Sequence, residues 1–291
     1  MPTVVTLQIR AQFILSDSPA DTMPSKIPAG PLCTRSSLAN ELRDLGVNHG
    51  DVLLVHSSLS SIGWVNGGAE AVVLALLDAL GPTGTLVVPT HSGDNSDPAK
   101  WAHPPVPEEW WETIRTTMPA YNRQTTRSRA MGVIAETVRT WPGAVRSAHP
   151  QTSFAAVGPR ASALMDGHSL DCSLGEQSPL AKLEEYKARV LLLGVGFDSC
   201  TAFHLAEYRR PARVVENSFA VTTSEGRKWM TVHDIALNGE DFERLGAGFE
   251  MNQHITLGKL GAAVTRLFSL ADAVIYAHVW LHTHRPRPSG A

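Results

Sequence analysis

The segment RVLLLGVG, residues 189–196, constrains the fold most, because it is the most apolar of the strand-like segments. A short apolar run without polar alternation predicts a strand buried on both faces, which is typical of the centre of a helix-covered sheet. A helix that spans a membrane needs roughly 20 apolar residues. The segment therefore predicts a central strand in a protein core.

Other short apolar strands alternate with helical patterns along the chain. Strands are predicted at DVLLVH, TLVVPTHS and TSFAAVG, and helices at TRSSLANELRDLGV, GGAEAVVLALLDALGPTG, MGVIAETVRTW, SPLAKLEEY and AFHLAEYRR. This order predicts an α/β fold with three layers, helix–sheet–helix, and a mixed, mostly parallel central sheet. Residues 218–234 predict an added β-hairpin, and residues 258–281 predict a helix followed by a strand.

The composition indicates one ordinary globular domain. We expect a flexible extension over residues 1–30, a single domain over residues 31–283 and a loose tail over residues 284–291. The net charge of -3 argues against nucleic acid as the main partner. Three cysteines without metal-ligand spacing indicate a reducing compartment, so we expect a cytoplasmic protein. We expect no metal, because no His-Glu-x-x-His or similar ligand set appears, and no membrane partner, because the longest apolar runs are far shorter than a bilayer span.

The first candidate site is the loop HSSLSSIGWVNGG, residues 56–68, which follows a predicted strand and precedes a predicted helix. Its four serines and three glycines offer hydroxyl and backbone N–H groups near a helix N-terminus, where phosphates are often bound. The loop is neither a Walker A nor a Gly-x-Gly-x-x-Gly motif. An ordinary serine-rich loop is an equally good interpretation of these residues.

A second candidate site lies in RSRAMGVIAE, residues 127–136, and RSAHPQTSF, residues 146–154. Arginines there are suited to a polyanion, and Ser147 with Met131–Gly132 adds possible donors. The alternative is that these arginines lie on a helix surface. For His149, a structural role bonded to the backbone is the stronger interpretation, and a catalytic role is the alternative.

The third candidate site is the pair His204 and Glu207, directly after the most buried strand. Residues three apart share one face of a helix, and a carboxylate beside an imidazole fixes its tautomer and favours proton uptake. Ligands of α/β sheets bind beyond the carboxyl ends of strands. As an isolated pattern, however, the pair is more often an incidental helix face. Cys200 is either a nucleophile or, more commonly for this residue type, a packing residue.

Taken together, these motifs resemble the aminoglycoside 3-N-acetyltransferase family from about Thr34 to Leu281. The likeness rests on DVLLVHSSLSSIGWVNGG, PPVPEEWW, MGVIAE, RSAHPQTSFAAVG, LGEQSPLAKL and LLLGVGFDSCTAFHLAEYR, in that order. The resemblance implies an enzyme that transfers acetyl from acetyl-CoA to the 3-amino group of aminoglycoside antibiotics, conferring resistance. It implies His204 as the general base and Glu207 as its partner.

The resemblance also implies binding residues. Coenzyme contacts are implied for His56, Ser57, Ser58, Leu59, Ser60, Ser61, Met131, Gly132, Arg146 and Ser147. Contacts to a polycationic substrate are implied for Asp94, Asp97 and Asp234. Hydroxyl groups near the thioester would stabilise an oxyanion, and Thr201 and Ser58 are the candidates.

Three other functions remain open from the sequence. One is an acyl-CoA-dependent N-acyltransferase for a small amine that is not an antibiotic, because few acids follow Arg209. Another is a CoA-binding module without turnover. The third is a partner-binding protein that docks through Trp101, Trp110 and Trp111. A monomer and a homodimer are both compatible with the sequence.

Overall fold

The computed structural model describes residues 30–252 and 254–285. Its strands are β1 (Val52–Ser57), β2 (Thr85–Pro89), β3 (Val145–Arg146), β4 (Phe154–Val157), β5 (Arg189–Leu193), β6 (Val214–Thr223), β7 (Gly226–Ile235), β8 (Thr256–Leu260) and β9 (Ala263–Ser269). Its helices are α1 (Arg35–Asp44), α2 (Leu59–Ile62), α3 (Gly68–Leu80), α4 (Trp111–Thr117), α5 (Gly132–Arg139), α6 (Ala161–Met165), α7 (Pro179–Glu185), α8 (Ala202–Tyr208), α9 (Phe242–Asn252) and α10 (Leu270–His284).

Within these residues, seven strands form one mixed sheet in the order β3-β4-β2-β1-β5-β9-β8. Strand β1 is parallel to both β2 and β5, and every other neighbouring pair is antiparallel. The predicted mixed sheet is confirmed, but the prediction that it is mostly parallel is wrong. Short connections join β3 to β4 and β8 to β9, whereas parallel strands need a crossover of about a dozen residues or more.

Helices cover both faces of the sheet, which confirms the three predicted layers. In β1, Val52 and Leu54 pack into the core formed with α6 to α10. Their neighbours Leu53 and Val55 pack into the core formed with α1, α3 and α5. Successive side chains of a strand point to opposite faces, so a strand buried on both faces has the continuous apolar sequence seen here.

Side chains cap the N-termini of two of the predicted helices. Thr34 caps α1 with its side chain, which accepts from the backbone N–H of Ser37. Ser178 caps α7 in the same way, and Pro179 occupies the first helical position, where its missing N–H costs nothing. The predicted hairpin is also confirmed: β6 pairs with β7 outside the main sheet, and Thr223 and Gly226 close its turn.

The last part of the chain corrects the sequence prediction. Residues 258–281 hold the end of β8, then β9, then α10, so the predicted order of helix and strand is reversed. Gly261 has a left-handed φ of 56° and makes the turn between β8 and β9, where a Cβ would lie 2.5 Å from the Ile62 carbonyl oxygen. None of the described helices is long and apolar enough to cross a bilayer.

The predicted terminal segments are only partly described. The N-terminal extension lies outside the described residues except for Gly30, and so do residues 286–291 of the tail. His284 belongs to α10, and the backbone N–H of Arg285 donates to the Leu281 carbonyl at 3.0 Å. A loose tail that begins at residue 284 is therefore not supported.

Candidate active site

A cleft of about 1020 Å³ opens at the carboxyl ends of β1 and β5. These two strands are parallel neighbours, so their carboxyl ends meet at one edge of the sheet. The loop after β1, the first residues of α5 and the first turn of α8 line the cleft. The fold thus brings the three candidate regions of the sequence to a single place.

His204 and Glu207 form a direct contact on α8. Nδ1 of His204 lies 2.5 Å from Oε2 of Glu207, and the side chains are 17% and 4% exposed. Because a carboxylate only accepts hydrogen bonds, Nδ1 is the donor, and the neutral tautomer of the ring has its lone pair on Nε2. His204 lines the cleft, and no described residue forms a hydrogen bond to Nε2. This nitrogen can therefore take a proton from a molecule bound there.

His56 is buried beside α8 at the end of β1. Its Nε2 lies 3.3 Å from Oγ1 of Thr201, and both residues line the cleft. Burial, and then the nearby His204, lower the pKa of His56 to about 3. His56 is therefore neutral at physiological pH and acts as a hydrogen-bonding group.

The loop after His56 lines the cleft with Leu59 and with every serine except Ser61. Ser57, Ser58 and Ser60 face the cleft, and the hydroxyls of Ser58 and Ser60 lie 3.1 Å apart. The Ser61 hydroxyl instead donates to the Gly194 carbonyl at 2.9 Å. Ser61 therefore anchors the loop to the end of β5.

The start of α5 approaches the end of β1 closely. Met131 and Gly132 line the cleft, as the sequence predicts. Gly132 has a φ of 81°, which favours glycine, and its Cβ position would lie 3.5 Å from the Ser57 carbonyl oxygen. The first residues of this helix thus line the same cleft as His204.

Arg146 does not line the cleft. Its side chain is 4% exposed and donates from Nε to Thr90 Oγ1 at 3.1 Å and to Ser153 Oγ at 3.0 Å. Nη2 donates to the Thr90 carbonyl at 2.7 Å, and the guanidinium lies 5.0 Å from the centre of the Tyr121 ring. Through these contacts, Arg146 joins the chain segments around β2 and β3. The geometry therefore does not support the expected coenzyme contact.

Ser147 and His149 belong to a buried polar network and do not themselves line the cleft. The Ser147 hydroxyl lies 2.9 Å from Nδ1 of His168. Nδ1 of His149 accepts from the N–H groups of Gln151 and Thr152, both at 3.1 Å. Nε2 of His149 lies 3.2 Å from the Leu170 carbonyl oxygen, so both ring nitrogens are bonded within the protein, which supports a structural role. The coenzyme contact expected for Ser147 is not supported.

The acids expected to bind substrate also lie elsewhere. Asp94 is exposed and pairs with Arg129 at 3.0 Å, and Asp97 pairs with Arg115 at 2.7 Å. Asp234 is buried and has no face on the cleft. Trp101, Trp110 and Trp111 do not line the cleft either.

Two cleft residues were missed in the sequence. Asp198 is the only acidic side chain that lines the cleft within the described residues. His91 lines it too, and its buried Nε2 has no hydrogen-bond partner among them. Both follow strands of the parallel part of the sheet, β5 and β2, whose carboxyl ends meet at this edge. That position was a usable signal for each.

The described parts of the chain contain no group of three or more His, Cys, Asp or Glu residues placed to hold a metal ion.

Comparison with known families identifies the chain: the model of the aminoglycoside 3-N-acetyltransferase family matches residues 54–282. The chain belongs to this family. The resemblance recognised from the sequence motifs is confirmed, and the protein is an acetyltransferase.

Relatives with known names and structures agree with this assignment. The chain is 47% identical to the SPbeta prophage-derived aminoglycoside N(3')-acetyltransferase-like protein YokD of Bacillus subtilis, over 85% of this chain and 92% of that protein. The crystal structure of YokD matches with a TM-score of 0.86 and 44% identity, over 87% of this chain and 95% of that chain.

Two further relatives are enzymes of the family. Aminoglycoside N(3)-acetyltransferase VIII of Streptomyces fradiae is 36% identical, over 90% of this chain and 96% of that protein. The structure described as AAC-IIIb binary with CoASH matches with a TM-score of 0.78 and 31% identity, over 89% of this chain and 100% of that chain.

Proposed function

We propose that the protein transfers the acetyl group of acetyl-CoA to the 3-amino group of an aminoglycoside, with His204 as general base and Glu207 as its partner. The observation that carries this proposal is the 2.5 Å contact between Glu207 and Nδ1 of His204, which leaves Nε2 free in the cleft. Family membership supports the reaction, and the relative solved with CoASH supports the coenzyme.

The reaction needs one base and one site for the developing charge. The neutral amine attacks the carbonyl carbon of the thioester while Nε2 of His204 takes a proton from the amine. The carbon–sulfur bond then breaks, and this proton passes to the sulfur, which gives the amide and free CoASH. An acceptor that binds as an ammonium ion releases one further proton to the solvent.

Polar groups around His204 are placed to assist. The hydroxyl of Thr201, beside His56, and the hydroxyl of Ser58 are the candidate donors to the thioester oxygen. The coenzyme occupies the side of the cleft formed by residues 56–60 and by Met131 and Gly132. Ser61, Arg146 and Ser147 have no part in this proposal, because they do not line the cleft.

Asp198 is the residue that binds the cationic acceptor. Aminoglycosides carry several ammonium groups, and an exposed carboxylate in the cleft attracts one of them. Asp198→Asn is expected to raise KM for the cationic acceptor by about three- to tenfold, the loss of one charge-assisted hydrogen bond, and to leave KM for acetyl-CoA unchanged. An equal rise of both KM values would contradict an acceptor role.

The test of the base is His204→Ala. We expect kcat to fall by about 10²-fold or more, because general-base catalysis contributes roughly 10²- to 10⁴-fold, while the affinity for CoA is kept. His233→Ala is the matched control, since His233 is 70% exposed on the hairpin. Turnover like that of the wild type in His204→Ala would remove His204 from the mechanism.

The second candidate is N-acylation of a small amine that is not an antibiotic. It is favoured by the single carboxylate, Asp198, that lines the cleft within the described residues. Release of CoASH, measured over a panel of aminoglycosides and simple amines, separates the two. Catalytic efficiency that is higher for monoamines than for every aminoglycoside tested would favour this candidate.

A further inference from the structure

Arg285 lies directly behind the His204–Glu207 pair. It follows the last turn of α10, three positions beyond the segment that the family model matches. Its side chain is 13% exposed, so the guanidinium is largely withdrawn from water. A guanidinium in such a place needs acceptors for its N–H groups and a negative partner for its charge.

Both requirements are met by the surroundings of α8. Nη1 of Arg285 forms an ion pair with Oε1 of Glu207. Nε donates to Oδ2 of Asp241 at 2.8 Å, and Nη2 donates to the Asn238 carbonyl at 2.6 Å. The carbonyl of Arg285 itself accepts from Nη2 of Arg210 at 3.2 Å. The side chain and the backbone of Arg285 are thus both fixed.

With the contacts of Arg285, both carboxylate oxygens of Glu207 have partners. Oε2 of Glu207 faces His204, and Oε1 faces Arg285 and the N–H of Asn238, which lies 3.2 Å away. A carboxylate held at both oxygens cannot rotate away from the imidazole. Phe242 adds a packing contact, since its ring centre lies 4.7 Å from that of His204 and 5.8 Å from the Arg285 guanidinium.

We propose that Arg285 is a positioning residue for acetyl transfer: through Glu207 it holds the His204 imidazole with Nε2 directed into the cleft. The inference rests on the proposed role of His204 as general base. Glu207 is 4% exposed, and a buried carboxylate without its cation loses both its charge balance and its fixed orientation. Misplacement of a catalytic group by about 1 Å can cost 10²-fold in rate.

The competing explanation is that Arg285 only fastens the end of α10 to the segment before α9 through Asp241. A purely structural ion pair would change stability, and it would change the rate by the same factor whether or not Glu207 is a carboxylate. Coupling between two side chains that act together is instead non-additive. The double-mutant cycle of Arg285 and Glu207 therefore separates the two explanations.

The first measurement is steady-state kinetics of Arg285→Gln in the full-length protein. We expect kcat to fall about tenfold or more, with both KM values within about twofold of the wild type, because the base is misoriented while the binding surfaces are intact. Arg285→Lys should recover part of kcat, since it keeps the charge but loses the fork. Arg209→Gln is the matched control, because the Arg209 side chain, just after α8, pairs with Glu176 and Glu184 and not with the Glu207 carboxylate.

The second measurement repeats the substitution in Glu207→Gln, where Arg285→Gln should lower kcat by less than about twofold. An equal loss in both backgrounds, or an unchanged kcat in the folded Arg285→Gln protein, overturns the inference. If Arg285→Gln does not fold, Arg285→Lys takes its place in the cycle with the same criteria. Wild-type turnover in His204→Ala defeats the proposed function instead, so the two failures are distinguishable.

Discussion

The carboxylate of Asp234 accepts the hydroxyl group of Tyr208, with Oδ1 at 2.7 Å and Oδ2 at 2.8 Å. Asp234 lies near the end of β7, and Tyr208 ends α8, the helix that carries His204. The same carboxylate accepts the N–H groups of Ser173 at 2.8 Å and Ile235 at 2.7 Å. Burial, reinforced by Asp234, raises the pKa of Tyr208. Asp234 thus joins the hairpin to α8.

We therefore predict that Asp234→Asn destabilises the protein and leaves KM for the acceptor unchanged. An amide turns one acceptor into a donor and leaves a buried group unpaired, which costs about 1–3 kcal/mol. Urea denaturation measures the loss, and the exposed Asp94→Asn is the control. Full stability with a raised KM for the acceptor would restore the substrate role that the sequence suggested.

Acid should weaken the fold through His168. Burial lowers the pKa of its imidazole from 6.5 to about 4. The unfolded chain therefore binds more protons than the folded one between those values, so this contribution is complete above pH 6.5 and is lost as the pH falls towards 4. From pH 7 to pH 5 we expect a loss of about 2 kcal/mol from this residue.

The check on His168 is the pH dependence of urea unfolding. His168→Gln should lower stability at pH 7 but should remove about 2 kcal/mol of the difference between pH 7 and pH 5. His233→Gln, at an exposed position, should leave the difference unchanged. An undiminished difference in His168→Gln would show that other groups govern the acid sensitivity.

His91 should be more important for activity than for stability. Burial, and then the nearby His204, lower its pKa to about 3, and its buried Nε2 has no partner among the described residues. His91→Leu removes this unpaired group and should stabilise the fold by about 1 kcal/mol. It also changes the shape and polarity of the cleft wall, so we expect kcat/KM to fall about three- to tenfold. Unchanged kcat/KM would show that ligands do not contact His91.

Cys200 should be inert despite lying close to His204. The residue is 1% exposed, and burial raises the pKa of its thiol to about 12. We expect the folded protein to resist alkylation of Cys200 by iodoacetamide at pH 8, as measured by mass spectrometry, and Cys200→Ala to keep its turnover. Rapid labelling with parallel loss of activity would contradict this expectation.

Local patterns in the sequence predicted those features that depend on neighbouring residues. The continuous apolar runs indicated a strand at β1 and a central strand at β5, and Ser178–Pro179 indicated the start of α7. The spacing of His204 and Glu207 predicted their contact, because residues three apart meet on any helix. Each prediction needed only the period of the helix or the strand.

Features that depend on distant residues were not predictable in this way. Glu207 and Arg285 are 78 positions apart, and no periodicity relates them. The family resemblance implied ligand contacts for Arg146 and Asp234, but distant backbone and hydroxyl groups form hydrogen bonds with them inside the protein. Tertiary contacts decided whether each charged residue faces a ligand or the core.

The alternation of side chains along β1 has a consequence for insertions and deletions. His56 falls on the same side of the sheet as Val52 and Leu54, towards α8, and the next residue, Ser57, points to the opposite side. Deleting one residue within β1 would exchange the two sides and move His56 away from Thr201. Natural variation in this strand should consequently take the form of substitutions, whereas changes of length should be confined to loops away from the cleft.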